Sequence, residues 1–304
     1  MEKLIIEVAL NEVIMREQNP HVPISPDEIA QDAYDCCNAG ASIVHFHARD
    51  AATGKNLPTD TALYAESLEK IKAKCDVISY PTESYKPNVP SVNPHIRELA
   101  FNVKLQLEMA FMFVKNAGLI DEQGRYLDPL VETGAPEHPN TFLRFCMDTG
   151  VKPKFVVREL GDVRHLVACR NAGLIADPIT CHLRLHDRLT FGPTPDARGL
   201  LSFLDAVPQQ IPFVWFVHPL DFIDPKLHFQ LNAVAVGSGG HCRTGLGDQV
   251  LSFGVPESNP QMVERIIAMA QLTGRDIASP NEARDILKMR RKTMEEIDLA
   301  DRSE

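Results

Sequence analysis

His45 and His47 lie two residues apart in Ile43-Val44-His45-Phe46-His47-Ala48-Arg49-Asp50. If Ile43 to His47 is extended, as its apolar start suggests, residues i and i+2 project to one side. Two imidazoles on one side are two of the three protein ligands of a typical catalytic zinc site, which keeps a further position open. The same spacing also suits a half-buried strand carrying two hydrogen-bonded histidines, so the pair alone leaves both readings open. Arg49 and Asp50 follow in a loop, where a barrel enzyme keeps its chemistry.

The elements that must position this pair alternate along the chain. Leu4 to Leu10 reads as a first strand. Ser25-Pro26-Asp27-Glu28 opens a helix with a cap residue, a first-turn proline and acids at the positive end of the dipole. Gly40 closes it as a C-cap. The His45 strand follows, then a helix from Asp60 to Lys74. Further strand-like runs are Val77 to Tyr80, Leu105 to Glu108, Phe155 to Val157, Ile179 to Leu183, Phe213 to Val217 and Ala233 to Val236. Helical stretches fall near Asn140 to Thr149, Val163 to Ala172, Ala197 to Val207 and Pro225 to Leu231. Strands alternating with helices argue for a parallel sheet, and eight such units fit a (β/α)8 TIM barrel. An open doubly wound sheet is the alternative, but no G-x-G-x-x-G follows the first strand. Residues 1–304 are expected to form one barrel domain, with 259–304 as a helical C-terminal extension. Its last stretch, Arg290 to Glu304, is expected to pack on a partner subunit or to be partly mobile.

Composition narrows the classes. The 304 residues are 44% hydrophobic and 24% charged, the balance of a soluble globular chain with a full core. A net charge of −10 without a long basic run argues against nucleic acid, whose phosphates need clustered cations. The start, interrupted by Glu7, does not read as a signal peptide, and no apolar run is long enough to span a bilayer. Seven cysteines without a C-x-x-C pair suggest reduced thiols and a cytoplasmic protein.

On a barrel, chemistry sits at the C-terminal ends of strands. That rule gathers Glu12, His45 and His47; Thr82, Glu83 and Ser84; Glu108; Arg158 and Glu159; and His218. Each alone could be an ordinary loop residue, but a core does not require so many ionisable groups at one rim. After the expected eighth strand comes Gly237-Ser238-Gly239-Gly240-His241-Cys242-Arg243-Thr244-Gly245-Leu246-Gly247-Asp248. Its glycines could let backbone amides approach an anion. Arg243 offers a cation for a carboxylate and Asp248 a base.

With these motifs in place the chain resembles the β-keto acid cleavage enzyme family, that of the 3-keto-5-aminohexanoate cleavage enzyme, as a divergent member. The resemblance runs over nearly the whole length. It is carried by Asn19 to Ala30, Ala39 to Asp50, Gly239 to Leu246, Ser258 to Glu264 and Ala278 to Arg284. It implies a TIM barrel in a homo-oligomer, a dimer or tetramer, with a zinc ion (Zn2+) held by His45 and His47. It implies a β-keto acid and acetyl-CoA as substrates, giving acetoacetate and a new acyl-CoA. Asp248 matches the family's base, Arg243 its substrate-positioning arginine, and Glu12 a glutamate after the first strand. Thr82 and Glu108 fall near substrate-contact positions.

The departures matter. The family's zinc glutamate directly precedes the catalytic aspartate, and here that position is Gly247. The metal site is therefore expected to lack a protein ligand, with His218 the first stand-in to examine and Glu108 and Glu12 less favoured ones. Restoring the acid by Gly247→Glu is expected to tighten metal binding. The loop after the third strand reads Thr82-Glu83-Ser84 where the family is glycine-rich, and Glu108 to Phe113 is bulkier than the family pattern. Two rival readings stand beside this one. A zinc hydrolase would use the histidine pair, an activated water and an aspartate after the eighth strand, with His182, His186 and His218 available to complete the set and turnover needing no CoA. The familiar barrel hydrolases carry H-x-H after the first strand, whereas here it follows the second. A non-catalytic binder would show neither metal nor turnover.

Overall fold

The computed structural model describes residues 1–83, 92–102, 104–105, 107–114, 138–220 and 224–289. Ser84, Gln106 and the Arg290 to Glu304 stretch, on which expectations rested, lie outside the described residues. Within them the order is β1 (Ile6–Ala9), α1 (Pro26–Ala39), β2 (Ile43–Phe46), α2 (Thr61–Lys74), β3 (Ile78–Pro81), α3 (Pro94–Phe101), β4 (Met109–Phe113), α4 (His138–Thr149) and β5 (Lys152–Val157). It continues with α5 (Leu160–Asn171), β6 (Ile179–Leu185), α6 (Ala197–Asp205), β7 (Phe213–Pro219), α7 (Lys226–Gly237), β8 (His241–Thr244), α8 (Asn259–Leu272) and α9 (Pro280–Ile286).

Eight parallel strands lie in the order β3-β2-β1-β8-β7-β6-β5-β4, and β3 meets β4 across the remaining seam. With helices between the strands this is a (β/α)8 barrel. Local signals explain much of it. Ser25 accepts from Glu28 N while the Glu28 side chain accepts from Ser25 N, a reciprocal cap that starts α1. Gly40 ends that helix at φ +119°, a left-handed conformation that only glycine adopts without strain. Buried Ile6, Val8, Ile43, Val44 and Ile78 join α1 and α2 residues such as Ile29, Ala33, Leu68 and Ile71 in one core.

Two strand readings need correction. Ala233 to Val236 is the end of α7, and the eighth strand is His241–Thr244. Its buried residues, including Phe229, Leu231, Ala235 and Val236, follow helical spacing, but exposed Ala233 and half-buried Val234 are apolar as well, so the run reads as continuous. Much of the glycine-rich stretch therefore lies at the N-terminal end of β8, away from the site. There Gly240 is required because a Cβ would stand 2.3 Å from the Trp215 ring. The fourth strand is Met109–Phe113, so Glu108 precedes it. Arg284 of α9 holds Glu108 at 2.6 and 2.8 Å. Glu108 thus ties α9 to the N-terminal rim, and its expected substrate contact is not supported. In the expected C-terminal extension, α8 packs on β1 and β8 as the eighth barrel helix, and α9 follows it.

Candidate active site

At the C-terminal mouth, Glu12, His45 and His47 bring one ligand atom each to within 4.8 Å of one another. Among the described residues this is the one such group of three. His45 Nε2 lies 3.1 Å from Glu12 Oε1, and His47 Nε2 lies 2.5 Å from Glu12 Oε2. The other ring nitrogens face oxygen acceptors. His45 Nδ1 is 3.2 Å from the Tyr80 carbonyl, and His47 Nδ1 is 3.2 Å from Asn56 Oδ1. Those contacts favour a proton on Nδ1 and leave the Nε2 lone pairs aimed at the mouth. His47 Nε2 is buried yet makes no aligned hydrogen bond, despite its closeness to Glu12. Burial also lowers the pKa of His45, keeping it in the neutral form that a metal takes. An uncommitted buried nitrogen beside a neutral imidazole and a carboxylate is a donor set that suits zinc.

Local folding puts Glu12 there. Its backbone is left-handed, φ +40°, a costly conformation for a non-glycine residue. Arg49 restrains the loop, donating from Nη1 to the Glu12 carbonyl at 2.9 Å and from Nη2 to the Ile14 carbonyl at 2.7 Å. Asn11 ties the same loop to β2, accepting from His47 N at 2.9 Å. Arg49 is therefore a clamp on the ligand loop. Gly247 supplies the space: a Cβ there would lie 2.3 Å from Glu12 Cγ. The sequence favoured His218 over Glu12 for the place left by Gly247. Glu12 occupies the place beside the histidines, and His218 turns to Asp248, with Nε2 3.2 Å from Oδ1.

Arg243, in β8 and not after it, links the groups. Its Nε and Nη2 donate to Asp248 at 2.8 and 3.0 Å, Nη2 also donates to Glu12 at 2.7 Å, and Nη1 donates to Glu7 at 2.7 Å. Burial pushes the Asp248 carboxyl up, but the Arg243 charge and His218 outweigh it and hold it at about 2. His218 is driven down to about 3 by burial and then by Arg243. At neutral pH the pair is therefore a carboxylate and a neutral imidazole.

Beneath this layer lies a buried charge cluster that the sequence reading did not assign. Glu7 is fully buried and accepts from Tyr80 Oη at 2.5 Å, from Arg243 and from Lys154, with His182 Nε2 3.0 Å away. The available signal was charge inside strands: Glu7 interrupts an apolar run, and Lys154 stands within Lys152–Val157. His182 is thus engaged with Glu7 and His186 lies 3.3 Å from Asp187, so neither joins the His45 and His47 group. Thr82 lines the cavity, about 290 Å³, together with Glu12, both histidines, Arg243 and His218. Arg184 lines it too and was missed, because the sixth strand was taken to end at Leu183 and runs to Leu185.

With this geometry defined, three comparisons bear on the chain. The family model described as beta-keto acid cleavage enzyme matches residues 3–289. The 3-keto-5-aminohexanoate cleavage enzyme of Fusobacterium nucleatum subsp. nucleatum is 30% identical, covering 96% of this chain and 100% of that protein. The 3-dehydrocarnitine:acetyl-CoA trimethylamine transferase of Rhizobium meliloti is 26% identical, covering 90% of this chain and 92% of its own. A solved structure described as a binary complex of ObcA with oxaloacetate shares the fold, with a TM-score of 0.68, 16% identity and coverage of 89% and 68%. Among the described residues no helix is long and apolar enough to cross a membrane.

Proposed function

The chain belongs to the β-keto acid cleavage enzyme family, and from that premise we propose that it transfers a two-carbon carboxymethyl unit from a β-keto acid to the acetyl group of acetyl-CoA. The products are acetoacetate and a new acyl-CoA. The observation that carries this reading is the junction of two groups at one cavity: the Glu12, His45 and His47 set that lines it, and Arg243, which also lines it, donates to Glu12 and holds Asp248 just behind the wall.

Asp248 takes a proton from the carbon between ketone and carboxylate. The carbanion attacks the acetyl thioester and expels CoA thiolate. The thiolate then adds to the original ketone, the carbon–carbon bond breaks, and the acetoacetate carbanion recovers the proton from Asp248. A carboxylate held near 2 is a weak base, and an efficient base has a pKa closer to the working pH. The substrate carboxylate resolves this mismatch by competing for Arg243, which loosens its hold on Asp248 and positions the substrate at the same time. A divalent metal, zinc by its donor set, would be held by His45, His47 and Glu12 and supplies Lewis-acid stabilisation of the enolate.

The test is acetoacetate production from acetyl-CoA and a panel of β-keto acids with zinc-loaded protein. Acetoacetate that depends on acetyl-CoA supports the reading, and turnover without CoA favours a hydrolase. The metal assignment is checked by elemental analysis. His45→Ala combined with His47→Ala should purify nearly metal-free, and unchanged metal content in that double variant would remove the site. Gly247→Ala should weaken zinc binding by about 10-fold or more, since the new methyl group displaces Glu12 without adding a ligand. Equal or tighter binding in that variant would show that Glu12 is not a ligand.

A further inference from the structure

Arg184 is the cavity-lining cation that the proposed reaction does not use. It belongs to β6, opposite His218 in the register with β7, on the far side of the mouth from the His45 and His47 strand. Arg243 spends its donors on Glu7, Glu12 and Asp248. Arg184, by contrast, makes no hydrogen bond or ion pair among the described residues. Its one close partner is the Phe113 ring, 5.5 Å from the guanidinium carbon, and Arg158 sits over the same ring at 4.3 Å. Two guanidinium groups near one ring concentrate positive charge beside the cavity. Burial, and then the Arg158 charge, lowers Arg184 to about 9, with Glu12 and Asp248 opposing from across the site. A cation in this position gains from an incoming anion, which relieves the repulsion and accepts from donors that line the cavity.

Part of the cavity lining is apolar: Phe111, Phe113, Val156 and Leu220. Ring contacts run from His45 to Phe111, from Phe111 to Phe113 and from Phe113 to Arg184, a surface that suits a short methylene spacer.

We propose that Arg184 receives a carboxylate at the end of the β-keto acid remote from the ketone, so that the preferred substrate is a 3-oxo dicarboxylic acid with a short methylene spacer. This deepens the transfer reading and rests on it for the placement of the keto-acid end at Arg243 and the Glu12, His45 and His47 group. A planar guanidinium binds a carboxylate through two parallel hydrogen bonds, which gives direction as well as strength.

The test is calorimetric binding to the zinc-loaded protein without acetyl-CoA, so that no transfer takes place. The probes are a six-carbon 3-oxo diacid and the 3-oxo monoacid of the same length. The unmodified protein should bind the diacid about 10-fold or more tightly. Arg184→Gln should cut that preference by about 10- to 100-fold, and Arg184→Lys should keep part of it. Equal affinity for both probes in the unmodified protein would overturn the inference without need of a variant. Parallel weakening of both probes in Arg184→Gln would also overturn it, placing Arg184 at the shared keto-acid end. In a separate titration with CoA alone as the probe, a loss in Arg184→Gln that leaves the diacid preference intact would overturn the inference and assign Arg184 to a CoA phosphate. The two readings fail separately. Absence of acetoacetate from every keto acid would defeat the transfer reaction and leave the binding preference measurable. Acetoacetate from monoacids with no diacid preference would keep the reaction and defeat the role of Arg184.

Discussion

Asp248→Asn should lower the rate of acetoacetate formation by about 10²- to 10⁴-fold, the usual loss when one acid–base group is removed. Asparagine keeps the shape and can still accept from Arg243 Nε through its carbonyl oxygen, but it cannot take a proton. The fold should survive, because Arg243 retains Glu7 and Glu12 as carboxylate partners at 2.7 Å each. The loss should therefore appear in kcat while circular dichroism and metal content stay close to those of the parent. A rate within about threefold of the parent, against the 10²-fold minimum expected, would exclude Asp248 as the base.

Glu7→Gln should produce the largest loss of stability of any substitution considered, about 3–5 kcal/mol. Glu7 is the central anion of the barrel interior, fully buried, with Lys154, Arg243 and His182 around it. Burial pushes its carboxyl upward, and His182, Lys154 and Arg243 together hold it well below the ordinary glutamate value. Lys154 is already lowered to about 8 by burial, with Glu7 opposing the fall. Glutamine preserves the volume but leaves two buried cations short of a counter-charge. Lys154 then releases its proton more easily, which moderates the cost without removing it. Urea unfolding measures the difference, and a variant within about 1 kcal/mol of the parent would show that the cluster contributes little beyond the neutral hydrogen bonds glutamine can keep.

The two substitutions separate two layers of one barrel. Glu7 supports Arg243 from below, and Asp248 meets it at the mouth. Activity should follow the upper layer and stability the lower one. Arg243 joins them, so changes in either layer should couple through it.

Much of this architecture was determined by the sequence alone. Alternating strands and helices, the reciprocal cap at Ser25 and Glu28, and Gly40 as a helix end are local signals that packing did not override. The i, i+2 spacing pointed to His45 and His47 together, and they meet although β2 ends at Phe46 and His47 stands one residue beyond it. The glycine before Asp248 was legible as a missing carboxylate only through the family resemblance. What replaced that carboxylate was not legible, since it depends on space. The absent side chain at 247 leaves room that Glu12 fills from a left-handed backbone, and only the juxtaposition of β1 and β8 shows it. Strand positions were misread where a short apolar run hides the helical pattern of burial or a charge stands inside a strand: Ala233 to Val236 looks extended but is helical, with Ala233 exposed, and β6 continues past Leu183 to carry Arg184. Glu108 lies one residue before its strand, and that single step moved it from the mouth to the opposite rim. Residue types and local spacing thus set which chemistry was possible. The tertiary structure decided which charges meet, because partners from β1, β3, β5, β6 and β8 converge on Glu7 and Arg243 from positions as many as 236 residues apart.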